Sequence, residues 1–387
     1  MAKAHKLSGK KIKCPGSYEA FIPDPLPPEI SWKENLVRAL SEADRLIGNL
    51  AREGKKLPNP HLLIRPFVKR EAVLSSKIEG TQATLGELLQ AEAGAHVERS
   101  PNDLREVANY VTALEYGIKR LSKLPLSLRL IRELHEKLMS GLKGASHITP
   151  GEFRRSQNWI GPAGCTLQNA SYVPPPPSEL MSCLGEWENF LQDRHLPPLV
   201  QAALLHYQFE AIHPFLDGNG RVGRLLIILF LIERKIIEAP LLYISAFFEA
   251  TRREYYERLS AVGQHSDWET WIHYFLNGVT RQSEDALSRA ERINQCLATW
   301  RTQVSNASSK TALLLIDVIA ANPFLTVGKA AKDLRVAFTT VQRAIDKLEQ
   351  LSIVEQVGDA KRGRVWCAKS IFKILEEPAK LTASGNT

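Results

Sequence analysis

The sequence predicts a mainly α protein: a helical core with one short β-hairpin flap, then a small winged helix-turn-helix domain at the C-terminus. Three observations predict it. Apolar residues recur at spacings of three and four through most of the chain up to residue 300. One proline-rich stretch, residues 151 to 177, interrupts that pattern. Beyond a polar break, SNASSK at Ser305–Lys310, short helical patterns give way to two strand patterns around GDAKRG.

The elements follow in order. MAKAHKLSGKKIKC is basic and has no apolar run, so residues 1–16 read as a disordered basic tail rather than a secretory signal. Ser31–Arg52 sets Leu36, Leu40, Ala43, Ile47 and Leu50 on one stripe. Pro66 suits the first turn of a helix, and Gly80 its end. Thr84 and Glu87 form a capping-box pattern for the next helix. Asn102–Leu121, Ser127–Met139 and Ser178–Leu191 are helical. Between the last two, FRRSQNWI and ASYVPPPP flank GPAGCTLQN, a hairpin from Phe153 to Val173 whose prolines suit a sheet edge. Pro198–Ile212, Gly220–Glu233, Phe248–Val262 and Asp267–Trp300 return to helix. The expected organisation is a helical N-terminal region over 17–100, a core domain over 101–303, a linker over 304–310 and a winged helix over 311–387. In that last part a helix near Thr311–Ala321, TVGKAAKDLR and TTVQRAIDKLEQL precede the strands IVEQV and RVWCA.

Bulk composition narrows the class. The chain is 44% hydrophobic and 24% charged, ordinary for a globular protein. Its five cysteines are scattered and form no CxxC pair, which excludes a disulfide framework or a structural zinc site and indicates a cytoplasmic protein. LLIILFLI, residues 225 to 232, is too short for a membrane span of about 20 residues. The net charge of +8 permits nucleic-acid contact without showing it.

The chemistry is concentrated in HPFLDGNGRVGR, residues 213 to 224, directly ahead of that apolar run. Gly218, Asn219 and Gly220 let successive backbone N–H groups converge, and at a helix N-terminus such a nest is an anion site. Arg221 and Arg224, three apart, suit a di- or triphosphate better than one carboxylate. Asp217 can hold a divalent cation bridging phosphate oxygens. His213 sits where it could take a proton from an attacking hydroxyl. Phe215, between polar neighbours, is a core anchor for the loop. Each feature alone is more often a turn or a solvated face; together, ahead of a buried helix, they are hard to explain as packing. A rival metal reading uses His206, Glu210 and His213 at i, i+4 and i+7, but the HExxH order is missing, and His206 and Glu210 read as structural.

The twelve residues match HxFx[D/E]GN[G/K]RxxR at every fixed position, and so resemble the signature of the Fic family. The resemblance covers residues 17 to 303. It implies a helical Fic core with a flap that clamps the target by strand addition, and transfer of AMP from ATP to a protein hydroxyl with release of pyrophosphate. It also implies roles: His213 as general base, Asp217 as the Mg²⁺ ligand, Gly218, Asn219 and Gly220 around the α-phosphate, and Arg221 and Arg224 on the phosphate tail. Gly220, where related kinases carry lysine, favours AMP transfer.

Upstream, SSKIEG at residues 75 to 80 resembles the family's inhibitory motif [S/T]xxxE[G/N]. Ser75 and Glu79 share a helix face, Glu79 lies in a last turn whose dipole disfavours an acid, and Gly80 ends the helix. The resemblance implies that Glu79 pairs with Arg224 and holds the enzyme off. It further implies an unidentified target protein, self-modification and, in related proteins, a homodimer. At the C-terminus, residues 308–387 carry 12 basic and 8 acidic side chains. Thr340, Gln342, Arg343 and Lys347 on the second helix, with Lys361, Arg362 and Arg364 in the wing, are candidate DNA contacts. Two alternatives stay open: a DNA-binding regulator with a nucleotide-sensing core, and an enzyme using another nucleotide or phosphate-containing donor.

Overall fold

The computed structural model describes residues 7–56, 60–142, 148–162, 164–306, 309–360 and 362–381. Two strands come first, β1 (Gly9–Cys14) and β2 (Tyr18–Pro23), paired antiparallel from Gly9↔Pro23 to Cys14↔Tyr18. The basic tail is therefore not disordered over 9–14. Lys10, Lys11 and Lys13 stay exposed while β2 buries Ala20, Phe21 and Ile22, and the Phe21 amide donates to the Val173 carbonyl (2.9 Å). The apolar content that ties down the tail lies in its partner strand.

Among the described residues, eleven helices then build the core: α1 (Glu34–Lys56), α2 (Pro60–Ile78), α3 (Leu85–Glu92), α4 (Pro101–Leu121), α5 (Leu128–Met139), α6 (Pro177–Leu191), α7 (Pro198–Ile212), α8 (Asn219–Glu233), α9 (Ser245–Ala250), α10 (Arg252–His265) and α11 (Trp268–Asn306). At the centre α7 and α8 pack together, buried on nearly every side, as expected of helices apolar all round. Trp187 on α6 and Trp271 on α11 grip α7 through its Leu205 and Ala203 carbonyls (3.0 and 2.9 Å). The capping box on α3 forms as its sequence spells it, Thr84 Oγ1 accepting from the Glu87 amide.

Three expectations are corrected. Pro66 lies inside α2, which Pro60 opens; burial of Phe67, Val68 and Ala72 offsets the hydrogen bond that Pro66 cannot make. The helix expected over Phe248–Val262 is two helices, broken where the Thr251 hydroxyl bonds the Phe247 carbonyl and Tyr274 (both 2.7 Å). The flap is not a ladder: among the described residues its one antiparallel bridge is Ile160↔Tyr172, because prolines at 162 and 174–177 withhold donors on either side.

The expected linker over 304–310 begins inside α11, which runs on to Asn306. Beyond it come α12 (Lys310–Ala321), β3 (Phe324–Leu325), α13 (Val327–Leu334), α14 (Phe338–Gln350), β4 (Glu355–Val357), β5 (Val365–Cys367) and α15 (Lys369–Glu376). The three strands form an antiparallel sheet in the order β3-β5-β4. The strand β3 and the helix α15 have no counterpart in the sequence reading. This C-terminal unit packs on α2 and α11, and its core is continuous with that of the rest of the protein. All five cysteines are free. Among the described residues no helix is long and apolar enough to cross a membrane.

Candidate active site

The twelve-residue loop joins the two central helices. His213 ends α7 in the left-handed region (φ 49°) and faces the start of α8. Its Nδ1 lies 3.2 Å from the Glu210 carbonyl, which can only accept, so Nδ1 carries the proton and the lone pair of Nε2 is free. Burial pulls the imidazole down to about 4, and the ring is neutral at pH 7. The loop backbone is fixed from the flap: Arg154 Nε and Asn158 Nδ2 donate to the His213 carbonyl (2.9 and 3.3 Å), and the Arg154 amide to Pro214 (2.9 Å).

Asn219 does something other than the sequence suggested. Its side chain is closed onto Phe215, accepting from the Phe215 amide and donating to the Phe215 carbonyl (both 2.8 Å). It shapes the nest and does not line it. Phe215 is buried against His135, ring centroids 3.8 Å apart. His135 accepts from the Gly151 amide through Nδ1 (2.9 Å), so its Nε2 carries the proton and donates to the Asp217 carbonyl (3.1 Å). Gly218 precedes α8 at φ 79°, where a Cβ would also press on Met139 Sδ at 3.0 Å. Among the described residues no side chain caps α8, so its first-turn amides are left for a ligand.

The cationic half of the site is already engaged. Arg224, 1% exposed, donates Nε to Ser75 Oγ (2.9 Å) and one amino group to both the Ser75 carbonyl (2.9 Å) and Glu79 Oε1 (2.6 Å). Burial pushes the Glu79 carboxyl up, but the Arg224 charge and hydrogen bond outweigh it and hold Glu79 below its usual range. The same oxygen would lie 2.1 Å from a Cβ placed on Gly220, so the Glu79 carboxylate covers the first turn of α8. Gly80 closes the helix turn at φ 104°. Arg221 is buried but loosely held, by Glu106 (3.4 Å) and Asp217 (3.5 Å), and its Nε has no partner among the described residues.

Residues 37–119 match the Fic/DOC family N-terminal region, and residues 125–231 match the Fic/DOC family itself. The chain carries a Fic/DOC family domain. It is 34% identical over 158 residues to the protein adenylyltransferase Fic of Drosophila virilis, and 32% to that of Drosophila melanogaster. The matched segment is 38% of this chain, and it spans 30% and 29% of those two relatives' lengths. Two solved structures share the fold: a Fic family protein from Desulfovibrio desulfuricans G20 (TM-score 0.60, 20% identity, 89% of this chain and 98% of that one) and Fic-1 of C. elegans (TM-score 0.52, 22% identity, 66% and 74%).

Within this Fic core the structure brings His213, Asp217, Gly218, Gly220, Arg221, Arg224, Ser75 and Glu79 to one place. The rival metal set does not converge. His206 is bonded to Tyr255 Oη (2.8 Å) in the core, and Glu210 is half-buried, with desolvation pushing its carboxyl up to about 8. Sequence reading missed Arg154, Asn158, His135, Glu71 and Glu106. Glu71, two turns before Glu79 and fully buried, accepts from Tyr110 Oη (3.2 Å) and the Ser245 amide (3.2 Å), anchoring α2 to the core. Glu106 accepts from Thr81 (2.7 Å) as well as Arg221. Tyr256, 44% exposed, is near enough to Glu79 and Arg224 for both charges to act on its phenol. A weak signal existed only for Arg154 and Asn158, polar side chains in a run otherwise read as an edge strand.

The candidate DNA contacts fare differently. Thr340 and Arg343 are exposed on α14, Arg362 is exposed between β4 and β5, and Lys347 is half-buried. Gln342 is engaged, with Asp346 (2.6 Å) and with Arg364 (3.2 Å), whose guanidinium lies over the Trp366 ring. Lys361 lies outside the described residues. The start of α14 also exposes an apolar side chain, Phe338 at 59%.

Proposed function

We propose that this chain is a protein adenylyltransferase that moves AMP from ATP to a hydroxyl side chain of a target protein and of itself, held off by Glu79. The observation that carries the reading is a neutral histidine with a free Nε2 facing an uncapped helix N-terminus flanked by two arginines. In the transfer the target oxygen bonds the α-phosphorus, and the bond to the oxygen bridging the α- and β-phosphates breaks. The hydroxyl proton goes to His213 Nε2, and pyrophosphate leaves. The α8 amides and Arg221 meet the charge that builds on the phosphates, and Arg224 would hold the phosphate tail once Glu79 releases it.

The donor set fits magnesium. The Asp217 side chain is 54% exposed, and among the described residues no group of three or more His, Cys, Asp or Glu closes a cage. One carboxylate plus substrate phosphates is a usual magnesium arrangement. When bound, the ion would neutralise charge on those phosphates. The flap presents Trp159 and Ile160, 41% and 40% exposed, beside the Ile160↔Tyr172 bridge, which suits an added target strand.

We read residues 311–381 as a winged helix, on the strength of α12 to α14 and the β4–β5 hairpin. No observation favours a DNA-regulator reading, since Gln342 and Arg364 already bond each other.

The test uses ATP labelled at the α-phosphate, magnesium, and three proteins: wild type, Glu79→Gly and Glu79→Gly/His213→Ala. Strong self-labelling in the single variant, weak in wild type and absent in the double, is expected. Label from γ-labelled ATP alone would overturn AMP transfer in favour of phosphotransfer.

A further inference from the structure

Besides its contact with Arg224, the inhibitory helix α2 has a second set of ties nine residues earlier, at Arg70. Arg70 is 5% exposed; it donates to the Glu377 carbonyl (3.3 Å) and lies 3.8 Å from the Asp285 carboxylate. Beside it Arg289 on α11, 1% exposed, donates Nε to Asp285 (2.7 Å) and its amino groups to the carbonyls of Ile374, Glu377 (2.9 Å) and Pro378 (3.0 Å). Arg292 grips the Glu377 carboxylate with both amino groups (2.6 Å each). Two buried guanidinium groups thus share one buried carboxylate. Their remaining acceptors are carbonyls at the end of α15, where a helix gathers partial negative charge.

The helix after the inhibitory motif is tied to the C-terminal unit as well. Asn322 donates to the Leu89 carbonyl (2.9 Å), Thr326 to the Ala93 carbonyl (2.6 Å), and α12 packs along α2. The segment carrying Glu79 is held between the catalytic core and the C-terminal unit.

We infer that the C-terminal unit is a latch: the carboxyl end of α15, gripped by Arg70, Arg289 and Arg292, keeps α2 seated and with it Glu79 on Arg224. The inference rests on the proposed brake. Arg70 and Arg289 are then positioning residues that act on the reaction through Glu79, and displacing α15 is a route to release.

The test uses the full chain. Glu377→Lys sets a cation beside Arg292 and Arg289 at a side chain 39% exposed, so the fold has room for it. The charge-swapped pair Arg292→Glu/Glu377→Lys restores the attraction. Self-labelling from α-labelled ATP and amide hydrogen exchange in α2 are read together. Glu377→Lys should label several-fold more than wild type, exchange faster in α2, and return toward wild type in the swap. In a Glu79→Gly background it should add nothing further, whereas a merely unstable variant would lose label in both backgrounds. Unchanged α2 exchange overturns the latch, and so does faster exchange at wild-type labelling. If Glu79→Gly itself takes no label, the adenylyltransferase reading fails, and the exchange measurement still decides whether α15 holds α2.

Discussion

A histidine acts as a base at neutral pH only if its ring is uncharged and one nitrogen is free. His213 meets both conditions through its Glu210 hydrogen bond and its burial, with the ring pulled down to about 4. Removing Glu79 takes away an anion that favours the charged ring, so a Glu79→Gly variant should hold its base no higher. Its self-labelling rate is therefore expected to stay flat from pH 8 down to about 6, where an ordinary histidine of pKa about 6.5 would already be mostly protonated. A rate that halves near pH 6.5 would show that His213 is solvated like a surface residue. At this scale the sequence was legible where chemistry is contiguous: His213, Asp217, Arg221 and Arg224 fall within twelve positions. His135 and Glu71 were not legible, because each acts through a backbone or side-chain partner distant along the chain.

At the scale of elements, α8 owes its productive start to the loop before it. The Asn219 side chain closes that loop on Phe215 by two hydrogen bonds at 2% exposure. Asn219→Ala strands the buried Phe215 N–H, at about 1–3 kcal/mol, and leaves the Phe215 carbonyl with Asn158 alone (2.8 Å). Thermal unfolding should shift down by several degrees, and labelling in the Glu79→Gly background should fall because the nest loses its shape. Asn219→Asp keeps the acceptor for the Phe215 amide and loses the donor, so it should unfold between the two; an aspartate variant as unstable as the alanine variant would refute this division. Periodicity located α8 to within one residue, since an all-apolar helix next to glycines has few alternatives. It misplaced the start of α2 and overstated the flap. In both places tertiary contacts and missing proline donors decide the outcome, and neither leaves a periodic trace.

At the scale of the molecule, the docking of the C-terminal unit on α2 was invisible in the sequence, because no local pattern says which two surfaces meet. The burial of ionisable groups across the core is likewise a property of the whole fold, and it sets how stability varies with pH. His135, His206 and His213 are held neutral by burial, at about 4, about 3 and about 4, well below an unfolded histidine. Unfolding below pH 6.5 therefore takes up three protons, and their contribution to stability is lost as pH falls through that window. Two glutamates are displaced the other way: Glu210 is raised to about 8, and Glu71 is raised by its burial as well. Their contribution is complete below the unfolded value near 4.5 and is lost as pH rises toward the folded value. Through most of the window from about 4.5 to 6.5 the histidines dominate and stability climbs with pH. As pH rises past about 6.5 the histidine contribution fades, and Glu210 makes stability fall toward pH 8. The melting temperature should therefore peak near pH 6.5. Glu210→Gln, which has no proton to lose at that site, should decline less than wild type from pH 6.5 to 8 and fall more steeply toward pH 5. A wild-type curve that is flat from 6.5 to 8, or a Glu210→Gln curve that declines there as steeply as wild type, would mean that Glu210 is ionised in the folded protein.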